Sequence, residues 1–325
     1  LTVVLALGVQ RMAKHNAIVK KLSSVETLGS ASVICSDKTG TLTRSEMTIQ
    51  RVATASGSTN VTGVGYAPEG QVEFSGSTLQ PGALLNAQIV VLSGGSLAGD
   101  AALRQGDDGR WEIHGDPTEA AFLVAERKLG ATARREGRFE RVGEIPFTSE
   151  RKMMSTLERD REHGGEIVVI TKGAPDMLLD HCTRARIGMN VVTLDDELRA
   201  RAVADVARLS DEALRTLAVA YRPLAAGEPA EASPALEREL IFVGTVGIID
   251  PPRPEAAVAI REAHRAGIRV IMITGDHPRT AARIFTGAPI PEGADTVLMQ
   301  EQAEAVSGDD LGAVPEVVHA PVAGA

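Results

Sequence analysis

The sequence predicts an α/β fold in which one parallel, Rossmann-like sheet is interrupted by a large inserted α+β domain. Two short apolar segments, Ser32–Cys35 and Ile268–Ile273, have the composition of buried strands, and each runs directly into a polar turn. Ligands bind at the carboxyl ends of strands in open α/β sheets, so we expect the two turns to lie together. The second turn, at Thr274, follows Asp37 in the first by 237 residues, far more than a simple crossover requires.

Composition is that of an ordinary globular protein. The chain has 325 residues, enough for two domains, and is 43% hydrophobic and 24% charged. A net charge of −9 disfavours nucleic acid as a partner. The two cysteines, Cys35 and Cys182, lie on segments expected to be buried, and their spacing suggests neither a metal site nor a disulfide framework. A reducing, cytosolic setting is consistent with this pattern.

The first residues leave two interpretations open. Leu1–Val9 is apolar but supplies only about half of the ~20 residues that a membrane span needs. It is either a helix start or the last turns of a membrane helix that enters a cytosolic stalk. The lack of an initiator methionine favours the second interpretation, so residues 1–21 are predicted to be the end of a membrane or stalk helix.

The turn after the first strand carries the residues for phosphate chemistry. Asp37 offers a nucleophilic carboxylate, Lys38 a cation, and Gly40 a backbone that a ligand can approach closely. The alternative is a Gly/Thr turn whose aspartate merely caps a helix. The seven residues Asp37–Thr43 (DKTGTLT) resemble the phosphorylation signature of the P-type ATPases.

The resemblance implies a mechanism. Asp37 would attack the γ-phosphate of ATP in line and become an aspartyl phosphate. Lys38 and Thr274 would neutralise or hydrogen-bond the transferring phosphoryl group, and Thr39 would hold Mg²⁺ together with Asp37. Gly275 and Asp276 would shape the adjoining loop. The domain would have the haloacid-dehalogenase-type core of that family. Related soluble phosphatases place a second aspartate where this chain has Thr39, which implies a phosphoenzyme that persists.

A helix is predicted to begin at Pro117. Asp116 is a suitable N-cap, Glu119 occupies the position of a capping-box acid, and Gly130 ends the helix. The stretch from Gly115 to Glu119 (GDPTE) resembles a helix start in the pumps' nucleotide domain, whose glutamate lies near adenine. Capping and nucleotide binding both remain open for Glu119.

Four further residues are candidates for nucleotide binding. Lys172 and Gly173 follow a strand predicted over residues 167–171, Phe147 is expected elsewhere on the same sheet, and Arg215 lies in an apolar segment. Core packing for Phe147, a solvated strand end for Lys172 and a surface position for Arg215 are the alternatives. The pairing of Phe147 with Lys172 resembles the pumps' nucleotide pocket, which implies that the phenylalanine stacks on adenine and the lysine lines the pocket. An arginine matching Arg215 reaches the nucleotide phosphates in relatives.

Proline-rich segments divide the chain. Ala225–Pro234 is predicted to be an exposed loop. Asp250–Pro254 (DPPRP) resembles the pumps' hinge between domains. The predicted domains are therefore residues 22–45 with 250–284 for phosphorylation, an incomplete domain, and residues 46–249 for nucleotide binding.

The end of the chain departs from this pattern. The resemblance is expected to stop near Arg283, and the 49 residues after Asp276 contain no lysine and no second acidic loop; Ser307–Asp310 is predicted to be a surface turn. Ala282–Glu301 resembles a signature of molybdopterin molybdenumtransferases. Residues 285–325 are accordingly predicted to be an unrelated, poorly ordered tail.

Three functional hypotheses follow. The first is a fragment of a calcium-pump-like ATPase that uses Mg²⁺ and ATP, with the transported cation and the pump's membrane and actuator domains as partners, on the cytosolic side of a bacterial plasma membrane. The second is a nucleotide-binding module without turnover, because the acidic loop and a late lysine are missing; this is the outcome expected of the chain itself. The third, suggested by the tail alone, is a fragment of a molybdenum-cofactor enzyme.

Overall fold

The computed structural model describes residues 2–14, 17–21, 23–212, 214–274 and 296–299. The chain forms two compact units, one spanning Thr43–Pro251 and the other combining Leu1–Leu42 with the residues from Pro252 onward. The strands, in chain order, are β1 (Val33–Asp37), β2 (Thr48–Thr54), β3 (Gly57–Val61), β4 (Val72–Phe74), β5 (Ser77–Thr78), β6 (Ala102–Gln105), β7 (Trp111–His114), β8 (Phe139–Thr148), β9 (Met153–Asp160), β10 (Glu166–Gly173), β11 (Cys182–Ile187), β12 (Asn190–Thr193), β13 (Arg215–Pro223), β14 (Leu240–Ile249), β15 (Arg269–Thr274) and β16 (Thr296–Met299). The α-helices are α1 (Thr2–Lys14), α2 (Ser23–Gly29), α3 (Ala83–Leu97), α4 (Pro117–Lys128), α5 (Thr132–Arg138), α6 (Pro175–Asp180), α7 (Asp196–Asp211) and α8 (Pro254–Arg265).

The larger unit is organised around one mostly antiparallel sheet. Its main path runs β5-β4-β3-β2-β14-β13-β10-β9-β8, with β11 pairing in parallel with β14 and antiparallel with β12. β14 is buried along nearly its whole length because β2 and β13 flank it and side chains cover both of its faces. The apolar sequence of residues 241–249 predicts a strand there, and the structure confirms it.

Helices α3 and α4 cover part of this sheet, and the two helices pack closely against each other. Val91 and Leu92 of α3 and Phe122 of α4 belong to the main apolar core. A Cβ atom at Gly95 would lie 2.1 Å from the Phe122 ring, so the approach requires glycine at that position. The sequence predicts no helix or strand for residues 56–109. The glycines and serines of this region obscure α3, a helix that is apolar on all sides.

A second apolar cluster includes α6 and β11. Leu178 and Leu179 pack with Met153, Cys182 and Leu240. The Gly/Pro turn at residues 173–175 predicts a helix over residues 177–182, which is misplaced, because α6 begins at Pro175 and ends at Asp180 and Cys182 opens β11. Cys182 is buried, as expected.

In the smaller unit, β1 and β15 are adjacent parallel strands. Their register places Val33 beside Arg269 and Asp37 beside Ile273, which confirms that the two predicted strands end side by side. Helix α8 contributes Ala256 and Ile260 to a core shared with Leu42, Val270 and Met272. The sequence predicts a helix over residues 255–266 that stops at Gly267, and α8 ends at Arg265, shortly before that glycine, whose φ is +75°.

The predicted burial of the first strand is wrong. Val33 and Ile34 are 39% and 41% exposed, and Cys35 is exposed as well. In the described part of the chain β1 forms the edge of a three-stranded sheet ordered β1-β15-β16, so one side of it has no neighbouring strand.

Helix α1 and strand β16 lie towards the two ends of the chain. Among the described helices, none is both long and apolar enough to cross a membrane. Residues 296–299 form β16, a strand parallel to β15 that the sequence did not predict. The other residues of the predicted tail, including Ser307–Asp310, lie outside the described residues.

Candidate functional site

A tight turn presents Asp37 at the carboxyl end of β1. Thr39 (φ −74°, ψ 122°) and Gly40 (φ 77°, ψ −12°) have the dihedral angles of the central residues of a type II turn. The Thr39 amide donates to Asp37 Oδ1 over 3.3 Å, closing an Asx-type turn. Because Thr39 and Gly40 are not helical, the alternative in which Asp37 caps a helix is wrong.

The neighbouring groups differ in exposure. Asp37 and Thr39 are exposed, whereas Lys38 is buried. Thr274 is the last residue of β15, one residue beyond the partner of Asp37. Gly275 and Asp276 lie outside the described residues, so the remaining half of the predicted phosphoryl site stays a prediction. Among the described residues, no cluster of three His, Cys, Asp or Glu forms a metal site.

In the larger unit, Lys172 and Glu119 form a buried ion pair. Lys172 Nζ lies 3.2 Å from Glu119 Oε1, and the lysine residue is only 5% exposed. The ammonium also lies 5.4 Å from the centroid of the Phe122 ring, a cation–π contact. Burial lowers the pKa of Lys172, although the Glu119 carboxylate acts in the opposite direction. The alternative of a solvated strand end is therefore wrong for Lys172.

Glu119 does not form the capping box that its position in α4 suggested. Asp116 caps α4, accepting from the amides of Thr118 (2.7 Å) and Glu119 (3.3 Å). The Glu119 carboxylate instead accepts from the amides of Asp100 (2.7 Å) and Ala101 (3.1 Å). It thereby holds the loop after α3 against Lys172, a contact between residues distant in sequence that no local pattern could have shown.

Phe147 is available to a ligand. Its residue is 59% exposed, so the core-packing alternative is wrong. It lies where the β8–β9 register shifts between residues 145 and 148, an irregularity of the kind that redirects side chains. Arg151 fixes this hairpin, since it donates to Glu237 at 2.7 Å and to the Pro146 carbonyl.

Gly173 and Lys152 complete this side of the candidate nucleotide site. A Cβ atom at Gly173 would lie 2.6 Å from both the Lys152 carbonyl oxygen and Met153 Cγ, so only glycine fits. Lys152 is exposed, has φ +51°, and accepts from the Ala174 amide at 3.0 Å. Lys152 was not predicted to be a site residue, although its position between Phe147 and β9 could have indicated it.

Arg215 lies apart from these residues. It is exposed, and its side chain forms no hydrogen bond or ion pair with another described residue. Ala218 of β13 is opposite Gly173, so Arg215 is three residues farther along its strand, roughly 10 Å away. The larger unit thus brings together Glu119 and Lys172, places Phe147 two strands from Lys172, and leaves Arg215 at a distance.

Comparison with known proteins identifies similar sequences. A family model described as "P-type ATPase, cytoplasmic domain N" matches residues 89–255, about half of the chain. The chain is 39% identical to the Calcium-transporting ATPase of Bacillus subtilis (strain 168) over 319 residues, covering 98% of the chain and 35% of that protein. It is also 39% identical to the Cation-transporting ATPase pma1 of Synechocystis over 316 residues, covering 94% of the chain and 34% of the relative. The chain thus spans about a third of the length of these relatives.

A second family model overlaps the end of the chain. It is described as "MoeA N-terminal region (domain I and II)" and matches residues 257–324. The alignment to the Bacillus subtilis protein covers 98% of the chain, so it extends past Arg283, farther than the sequence resemblance was expected to reach. The model for cytoplasmic domain N covers half of the chain, and on that ground the chain belongs to the P-type ATPase family.

Proposed function

We propose that this chain is the ATP-handling portion of a cation pump on the cytosolic side of a bacterial membrane. The observation that carries the proposal is the buried Glu119–Lys172 pair on the sheet that also carries the exposed Phe147. An apolar ring and a fixed cation are the two features that an adenine nucleotide needs, one for the base and one for the phosphates. Similarity to calcium- and cation-transporting ATPases supports the same assignment.

Nucleotide binding would use the larger unit alone. Phe147 stacks on adenine, which by analogy with base–aromatic stacking contributes about 1–3 kcal/mol. Lys172 and Gly173 line the pocket, with Glu119 holding the lysine in place. Arg215, being exposed and uncommitted, reaches the phosphates from its more distant position.

Phosphoryl transfer would use the turn after β1. A carboxylate oxygen of Asp37 forms a bond to the γ-phosphorus of ATP while the bond to the bridging oxygen breaks and ADP leaves. Lys38 and Thr274 neutralise or hydrogen-bond the transferring group, with Gly275 and Asp276 beside it. Asp37 and Thr39 would hold Mg²⁺, which neutralises phosphate charge when bound; a single carboxylate with a hydroxyl and phosphate oxygens is a normal magnesium environment. Thr39 is a poor base near neutral pH, so the aspartyl phosphate persists.

The domain arrangement belongs to the same proposal. Residues 22–45 and 250–284 form a haloacid-dehalogenase-type phosphorylation domain, and residues 46–249 form the domain inserted into it. Two observations support this: β1 and β15 pair directly, and residues 43–251 between them form a compact unit of their own. The transported cation and the membrane and actuator parts of the pump are the partners implied.

Two measurements test the function. Titration with a fluorescent ATP analogue in the presence of Mg²⁺ should show saturable binding that weakens about tenfold in Phe147→Ala, the loss expected for one stacking contact. Phe74→Ala, another exposed phenylalanine of the same unit (49% exposed), is the matched control and should leave the affinity unchanged. No nucleotide binding by the wild-type chain would overturn the proposal.

Phosphorylation is measured separately. After incubation with Mg²⁺ and γ-labelled ATP, acid-stable, hydroxylamine-sensitive label that is absent from Asp37→Asn would demonstrate phosphoryl transfer to Asp37; the sequence predicts binding without label for the chain itself. Binding without label would leave a nucleotide-binding module as the function of this chain. Binding of molybdopterin but not ATP would favour the molybdenum-cofactor hypothesis.

A further inference from the structure

A second cleft in the larger unit is lined by arginines and lies outside the candidate nucleotide site. Its volume is about 370 Å³, within the range of small-molecule sites. Four arginines line it: Arg104 of β6, Arg127 of α4, Arg135 of α5 and Arg141 of β8. Two glutamates, Glu136 and Glu158, are also in its wall. None of the residues proposed for nucleotide binding is among its lining residues.

Two of the four arginines are held by carboxylates and make the wall rigid. Arg135 Nε lies 2.9 Å from the fully buried Glu126. Arg141 pairs with Asp100 at 2.6 Å and with Glu158 at 3.4 Å. These ion pairs fix the shape of the cleft. They also neutralise most of the carboxylates around it.

The other two arginines have no acidic partner among the described residues. The Arg127 guanidinium lies over the ring of Trp111, 4.9 Å from its centroid, and its buried Nε atom has no hydrogen-bond partner in the described part of the chain. Ser96, which also lines the cleft, is 93% buried, and its hydroxyl is likewise without a partner there. A buried polar group without a hydrogen bond costs about 1–3 kcal/mol, so two such groups in one cleft indicate that an acceptor fills it.

We propose that this cleft is a binding site for a small polyanion of the diphosphate class. Arg104 and Arg127 supply uncommitted guanidinium groups, whose planar forks match phosphate oxygens in bidentate fashion. Ser96 adds a hydroxyl donor deeper in the cleft. The site does not depend on the nucleotide function proposed above.

The chain carries its own reporter for this site. Trp111 is its only tryptophan, and it stacks on Arg127. Titration of the full chain with inorganic pyrophosphate at constant ionic strength should give a saturable change in tryptophan fluorescence. Arg104→Gln should weaken binding about tenfold, as expected for the loss of one charge-assisted contact. Arg184→Gln, an exposed arginine on β11, is the matched control and should leave the titration unchanged.

Arg127→Gln is measured by calorimetry, since the substitution also removes the stacking partner of the reporter; a loss of about tenfold is expected here too. Phe147→Ala should retain the pyrophosphate signal, which separates this cleft from the nucleotide pocket. The proposal is overturned if pyrophosphate gives no saturable change, if Arg184→Gln weakens binding as much as Arg104→Gln, or if Phe147→Ala abolishes the signal. A normal denaturation midpoint for each variant shows that it is folded.

Discussion

The turn at Asp37 and the pocket at Lys172 are constructed in opposite ways. Asp37 is placed by its immediate neighbours: β1 ends, Thr39 and Gly40 form a type II turn, and the Thr39 amide donates to the carboxylate. Lys172 is placed by residues far away in the chain, since Glu119 comes from α4 and the Phe122 ring from the same helix. A short contiguous motif can therefore specify the first site, whereas the second exists only once the larger unit has folded.

The two sites also differ in electrostatics. Asp37 is exposed, so its side chain is solvated. Lys172 is buried beside Glu119, and desolvation lowers the pKa of its ammonium while the carboxylate acts in the opposite direction. Substitutions at the turn should therefore have small effects on stability, whereas substitutions in the pocket should have large ones.

The largest effect is expected for Glu119→Gln. This change leaves the Lys172 ammonium buried without a carboxylate, and breaking a buried pair from one side costs about 3–5 kcal/mol. Urea denaturation without nucleotide measures the loss in the free energy of unfolding. The double variant Glu119→Gln with Lys172→Met should recover most of that loss, because it removes the buried charge as well.

Glu112→Gln is the matched control for that experiment. Glu112 is exposed on β7, so its substitution should change the free energy of unfolding by no more than about 0.5 kcal/mol. If the double variant is as unstable as Glu119→Gln, the penalty lies in the loop bonds from Asp100 and Ala101 and not in the charge of Lys172.

The same contrast explains what could be predicted from the sequence. Features set by neighbouring residues were predicted: the Asp116 N-cap and the end of α8 before Gly267. The parallel pairing of β1 with β15 was predicted as well, from the polar turn that follows each strand. Features set by packing were not. Helix α3 was missed because two adjacent glycines, Gly94 and Gly95, are typical of a loop when the sequence alone is considered. In the fold they permit close approach to Val219 and Phe122.

Burial was the least predictable property. Phe147 and Cys35 belong to types that are usually buried, yet one lies exposed at a register shift and the other on an edge strand. Lys172 belongs to a type that is usually exposed, yet the loop held by Glu119 covers it. Each of these residues departs from the average of its type because of neighbours that only the folded sheet provides.

A smaller effect is expected at the turn for Gly40→Ala. The φ angle of 77° at Gly40 lies in the left-handed region, where a Cβ atom costs about 1–2 kcal/mol. Thermal denaturation should show this loss for the smaller unit, and Gly40→Asn should lose less, because asparagine tolerates that region. Gly29→Ala, where a Cβ atom would meet no other atom within 4 Å, is the control. Equal effects at both glycines would show that the turn does not constrain Asp37 in the way described.

The smallest effect is a pH dependence of nucleotide affinity. Since burial lowers the pKa of Lys172, its ammonium loses its proton at a lower pH than an ordinary lysine near 10.5. Its contribution to phosphate binding is therefore complete below that lowered pKa and is lost as the pH rises through it, weakening affinity by up to about tenfold. Titrations of the ATP analogue from neutral to alkaline pH should show this decline in the wild-type chain. Lys172→Arg should stay flat over the same range because the guanidinium remains charged. Parallel curves for the two proteins would mean that Lys172 does not face the phosphates, and the pocket would then owe its affinity to Phe147 and the exposed cations around it.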